Sequence, residues 1–150
     1  MNAPHLYLGD SREVLARFDA ESIDLTVTSP PYDNLRTYNG FTFDFEGIAA
    51  ELWRVTKKGG VLVWNVADAT INGSETGTSF RQALHFMGLG FNLHDTMIWH
   101  KGGFSAVGAL ATRYGPVFEY MFVFSKGTPK TFNPIKDRPN KHAGKKLTGT

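Results

Sequence analysis

The sequence predicts an α/β fold, a mostly parallel sheet with helices on both faces in a Rossmann-like sandwich, finished by a strand pair that includes an antiparallel member. Three observations lead there. Short apolar runs of strand length alternate with stretches of helical period from Leu6 to Phe124. The run Ile23 to Thr28 passes without a spacer into Ser29-Pro30-Pro31-Tyr32, a rigid turn at the carboxyl end of a strand. The chain has 150 residues, the length of one domain with a real core.

The elements follow in order. Leu6 to Gly9 reads as a short apolar strand. Asp10, with Glu13 three residues on, begins a helix that carries Val14, Leu15 and Phe18. The Ile23 strand comes next, followed by a polar and aromatic loop from Asp33 to Thr42. Ile48, Leu52 and Val55 recur at helical spacing, and Lys57-Lys58-Gly59-Gly60 would end that helix with cations and glycine. Val61 to Val66 is the next buried strand. Thr78 or Ser79 can cap a further helix, in which Phe80, Leu84 and Met87 share a face and Gly88 and Gly90 supply the stop. Two strands remain, Phe91 to His100 and Val117 to Phe124. In such a sheet ligands bind beyond the carboxyl ends of the strands, which gathers Asp10, Ser29 and the loop after Val66 on one edge.

Two prolines in succession fix φ, remove two backbone donors and push their predecessors out of the helical region, so the chain leaves the sheet extended and stiff. Ser29 adds a hydroxyl and Tyr32 an aromatic face. Together they can grip a planar ring that bears an amine, by hydrogen bonds to its edge and stacking on its face. The plain alternative is an ordinary loop, which a four-residue pattern alone does not exclude.

Composition narrows the chemistry. There is no cysteine, which excludes disulfides, thiolate zinc sites, cysteine-ligated zinc deaminases and thiolate-dependent attack on a ring carbon. His85, His94 and His100 lack metal-ligand spacing with a carboxylate set, so no metal is expected. Gly73 to Ser79 bears glycine but lacks the lysine of a phosphate loop. No apolar run reaches the length of a membrane span and Met1 to His5 has no signal pattern, so the expectation is a cytoplasmic protein. The net charge is only +2, but Lys126, Lys130, Lys136, Arg138, Lys141, Lys145 and Lys146 face a single acid, Asp137. That basic stretch, 127–150 with Lys126 at its root, is rich in proline and glycine; it suits phosphate contact and equally a solvated tail. Glu119 interrupts the apolar run Val117 to Phe124 and needs a partner, for which Arg113 or Lys101 would serve. Asn65 and Asp68 follow a strand and could line a pocket or simply solvate a loop. Phe41, Phe43 and Phe45 alternate as a half-buried core edge would.

Leu6-Tyr7-Leu8-Gly9-Asp10-Ser11, Ser22 to Tyr32 and Leu52 to Trp64 together resemble the amino-methyltransferases of DNA in their β-type motif order, and 91–101 and 117–126 resemble later motifs of that family. The resemblance covers nearly all of 1–126, which it makes the catalytic part of a Rossmann-like methyltransferase domain. It implies methyl transfer from S-adenosylmethionine to N4 of cytosine or N6 of adenine in double-stranded DNA, on a flipped-out base, as in restriction-modification systems. The Ser-Pro-Pro-Tyr form points to cytosine, with adenine as the rival. It also implies that Ser29, Pro30, Pro31 and Tyr32 hold the acceptor, that Asp10 and Thr28 contact the cofactor, and that a target-recognition region starts near Lys126. Asp10 has a plain alternative as a helix cap.

One departure stands out. The family's glycine-rich cofactor motif, which in this order lies after the segments seen here, has no match in the chain. The expectation is therefore weak cofactor binding and little methyl transfer by this chain alone. A complementary chain would supply the motif, or the chain is a truncated product, and a remnant that only binds DNA is the third reading.

Overall fold

The computed structural model describes residues 3–32, 42–103, 112–137 and 144. Its elements are α1 (Ser11–Leu15), β1 (Ile23–Thr28), α2 (Phe45–Val55), β2 (Thr56–Val66), β3 (Thr70–Ile71), β4 (Ser74–Glu75), α3 (Thr78–Gly88), β5 (Asn92–His100) and β6 (Phe118–Ser125). The main sheet runs β1-β2-β6-β5. Only β1 and β2 are parallel; β6 is antiparallel to both of its neighbours. The expected mostly parallel sheet is thus corrected to a mostly antiparallel one. A parallel pair needs a crossover, and α2 provides the one that joins β1 to β2.

Alternation along the strands sorts the sheet into two unlike faces. Leu62, Trp64 and Val66 of β2 and Phe122 and Phe124 of β6 are buried in one cluster with Ala49 and Leu52 of α2 and Ala83 and Phe86 of α3. Register places Leu25, Val27, Val63, Val123, Met121 and Met97 on the other face. There Leu25 is 58% exposed, Val27 67% and Met97 47%. Helices on both faces were expected; among the described residues both long helices pack on one. The outer edge of β1 likewise carries no strand there, and Leu6 to Gly9, expected as a strand, joins no ladder.

Local chemistry sets the helices. Asp10 caps α1 by accepting from the Arg12 and Glu13 amides at 2.9 and 3.3 Å. Arg54 of α2 donates to the Leu15 and Phe18 carbonyls, both at 2.9 Å, and so ties the end of α1 to α2. α2 ends at Val55 rather than at the glycines, because Thr56 is already extended (φ −69°, ψ 128°) and its hydroxyl satisfies the Leu52 carbonyl at 2.6 Å. Lys57 to Gly60 consequently belong to β2.

α3 buries a face other than the one that Phe80, Leu84 and Met87 share. Its buried residues are Ser79, Gln82, Ala83 and Phe86, while Phe80, Leu84 and Met87 are exposed. Polar contacts fix the rotation: Trp64 Nε1 donates to the buried Gln82 Oε1 at 2.8 Å, and Asp68 accepts from the Ser79 amide and hydroxyl in part-buried bonds of 2.9 and 2.5 Å. Neither threonine nor serine caps the helix from the N-cap position, which is Gly77. Asn72 and Gly73 both have positive φ, 50° and 82°, and make the tight turn of the β3–β4 hairpin, a feature the Asn-Gly pair could have signalled. Among the described residues no helix is long and apolar enough to cross a membrane.

Candidate active site

Ser29 follows the last residue of β1 directly, and the proline pair continues the chain beyond the carboxyl end of that strand. Pro30 is buried and Tyr32 half-buried against the core. The strand order β1-β2-β6 then brings four side chains together. Tyr32 Oη lies 2.6 Å from Ser29 Oγ, donates to Glu119 Oε2 of β6 at 2.8 Å, and accepts from Asn65 Nδ2 of β2 at 2.9 Å. Asn65 Nδ2 also donates to Glu119 Oε2 at 2.6 Å, and Lys101 Nζ forms an ion pair with Glu119 Oε1. The carboxylate partner requires the nitrogen side of the Asn65 amide, which leaves Asn65 Oδ1 buried with no partner among the described residues.

Glu119 is 6% exposed. Burial by itself would raise its pKa, but hydrogen bonds from Lys101, Tyr32 and Asn65 and the Lys101 charge outweigh burial and hold it below the ordinary glutamate range. Tyr32 is pushed up, first by burial and then by its bond to Glu119 and that residue's negative charge, against opposing hydrogen bonds from Ser29 and Asn65. At neutral pH the site thus pairs an ionised Glu119 with a protonated Tyr32.

Thr28, Ser29, Pro30 and Pro31 line a cleft of about 430 Å3 with Gly9 and Trp64. Asp10 stands beside it with its carboxylate engaged on α1. Asp68, a candidate pocket residue, holds the start of α3 instead. Of the two partners expected for Glu119, Lys101 is the one found; Arg113 binds the hydroxyl of Thr70 and the carbonyl of Gly73. Phe45 packs on Trp64 and Phe86 as a core edge, and Phe41 lies outside the described residues.

The basic residues divide. Lys126 is turned inward, donating to the Trp53 and Thr56 carbonyls at 2.9 and 3.0 Å over the Trp53 ring. Lys130 and Lys136 are exposed. Arg138 and Lys141 lie outside the described residues. What sequence reasoning missed is the bond from Tyr32 to Glu119, across 87 positions. The charge inside an apolar strand was the available signal; the partner depends on strand order.

By its likeness to solved structures the fold is a methyltransferase fold. PvuII DNA methyltransferase (cytosine-N4-specific) matches at a TM-score of 0.63 and 23% identity, over 83% of this chain and 50% of that one. A candidate DNA modification methylase from Thermus thermophilus, solved with S-adenosyl-L-methionine, matches at a TM-score of 0.62 and 28% identity, over 90% of this chain and 58% of that one. The chain belongs to the DNA methylase family of N6 and N4 amino-methyltransferases, whose model matches residues 23–149. Orphan methyltransferase M.BamHII of Bacillus amyloliquefaciens is 64% identical over 126 residues, 83% of this chain and 47% of that protein. The chain spans about half the length of that relative.

Proposed function

We propose that the chain is the acceptor-binding part of a site-specific DNA cytosine-N4 methyltransferase. The observation that carries this is Ser29 at the head of a Pro-Pro turn on the carboxyl edge of β1, its hydroxyl tied to a fixed aromatic ring. An exocyclic amine is a poor nucleophile because its lone pair is delocalised into the ring. Ser29 Oγ and the Pro30 carbonyl accept its two N–H bonds, so that the nitrogen pyramidalises and frees the lone pair. The chain's contribution is then positioning and electrostatic preorganisation, with no covalent enzyme intermediate. The base reaches the site by flipping out of the duplex, and the face of Tyr32 replaces its lost stacking. Both bases present an amine next to a ring nitrogen acceptor, so the preference for cytosine over adenine rests on the resemblance of the Ser-Pro-Pro-Tyr form to the cytosine-N4 members of the family.

In this reading the cleft lined by Thr28 receives the adenosine end of S-adenosylmethionine, with Thr28 and Asp10, the latter between the lining residues Gly9 and Ser11, as its polar contacts. When bound, that cofactor supplies an electrophilic methyl group. Among the described residues no strand pairs with the outer edge of β1, and Leu25, Val27 and Met97 are partly exposed; a complementary chain, or the rest of a longer one, completes the site there. Residues 127–150 begin the target-recognition region, in which Lys130, Lys136, Arg138 and Lys141 contact phosphates.

DNA treated with S-adenosylmethionine, the chain and a polypeptide bearing the glycine-rich motif, then digested to nucleosides and weighed, is expected to contain N4-methylcytosine. N6-methyladenine would transfer the assignment to the adenine rival. No methylated nucleoside, with salt-sensitive DNA binding that survives Ser29→Ala and Tyr32→Ala, would leave only a DNA-binding remnant.

A further inference from the structure

The geometry points to Glu119 as the positioning residue that makes this site select an amine and refuse a carbonyl, by fixing the direction of the hydrogen-bond chain that ends at Ser29. The inference deepens the acceptor-site reading above and rests on it. Glu119 presents two oxygens and, ionised, no hydrogen. One oxygen faces Lys101; the other receives Asn65 Nδ2 at 2.6 Å and Tyr32 Oη at 2.8 Å. A phenol has one hydrogen, and the carboxylate takes it. The Tyr32 oxygen is left as an acceptor, for Asn65 Nδ2 at 2.9 Å and for Ser29 at 2.6 Å. The hydrogen in that last contact therefore comes from Ser29.

Ser29 Oγ then has lone pairs to offer an incoming group and no hydrogen. An N–H donor completes the chain. A carbonyl oxygen in the same place sets lone pair against lone pair, and once the bound base shields the exposed Ser29 hydroxyl from water the unmatched acceptors are costly. Cytosine is accepted on this basis and uracil refused, although their rings have nearly the same shape. Lys101 keeps Glu119 ionised and so keeps the direction of the whole chain. In Glu119→Gln the side-chain oxygen is held by Lys101 and the amide nitrogen donates to Tyr32. The phenol hydrogen is then free to swing to Ser29, and the serine hydrogen turns outward.

The test uses the 150-residue chain with 13C-labelled tyrosine, the Tyr32 resonance being assigned through Tyr32→Phe, and circular dichroism to verify folding. Deoxycytidine and deoxyuridine are titrated against it. The native chain is expected to favour deoxycytidine by about tenfold or more, and Glu119→Gln to narrow the preference below about threefold. Tyr32→Phe, followed on other resonances, cuts the same link and gives the same narrowing should the glutamine variant not fold. Undiminished discrimination in a folded Glu119→Gln overturns the inference.

The direction of the chain is read separately by alkaline titration of Tyr32. A donor stabilises the phenolate, so Ser29→Ala raises the Tyr32 pKa if serine donates and lowers it if serine accepts. A rise in Ser29→Ala and a fall in Glu119→Gln support the inference; the opposite sign in either overturns it. Correct signs with neither nucleoside bound support the direction of the chain and count against the acceptor-site reading instead.

Discussion

Phe86→Ala is expected to cost about 3–5 kcal/mol of folding stability, enough to unfold much of a domain of ordinary stability. Phe86 is 0% exposed, and its ring lies 5.0 Å from those of Trp64 and Phe124, 5.5 Å from Phe45 and 5.8 Å from Phe91. Its removal opens a cavity where α2, α3, β2 and β6 meet. Those elements carry Asn65 and Glu119, so the acceptor site should loosen with the core. The control is Phe80→Ala on the opposite flank of α3, which touches Tyr120 and is expected to cost about 1 kcal/mol or less. Urea unfolding of both variants checks the rotation of the helix. A greater loss in Phe80→Ala would put the wrong face of α3 against the sheet.

Glu119→Ala comes next, with an expected loss of about 2–3 kcal/mol at neutral pH. It leaves the Tyr32 hydroxyl and the Asn65 amide without their carboxylate acceptor and the Lys101 ammonium without its partner. The figure is kept below that for a fully buried pair because the Lys101 side chain is 40% exposed. The pH dependence has a definite sign. The folded pKa of Glu119 is depressed, so its contribution is present above the ordinary glutamate value, near 4.3, and is lost as pH falls through the lower folded value. The folded pKa of Tyr32 is raised, so its contribution is present below about 10 and is lost as pH rises through the higher folded value. Thermal unfolding across the pH range should show both limbs in the native chain and a weaker acid limb in Glu119→Ala. An unchanged acid limb would mean that other carboxylates govern acid stability.

Much of this site is legible in residues that act locally. A strand running into Ser29-Pro30-Pro31-Tyr32 announces a stiff turn, because proline constrains its own φ and its predecessor wherever it occurs. Asp10 reads as a cap, and Ile48, Leu52 and Val55 mark the buried side of α2, for equally local reasons. Strand direction is less accessible, since a two-residue period is the same in parallel and antiparallel ladders. The rotation of α3 depends on the bonds from Gln82 to Trp64 and from Ser79 to Asp68, which outweigh the apolar stripe of Phe80, Leu84 and Met87. Glu119 advertises itself as a charge in an apolar strand, yet its role appears only once β6 lies beside β2 and brings it within 2.8 Å of Tyr32.

The turn after β1 is proposed above to receive a base extruded from DNA. The most direct measurement is photocrosslinking of the chain to a duplex carrying 5-iodocytosine at a mispaired, easily flipped position, followed by mass mapping of the attached peptide. The expected product joins the base to Tyr32, and it should vanish in Tyr32→Ala and with a paired duplex that resists flipping. Attachment confined to residues 127–150, with Tyr32 never modified, would contradict the claim.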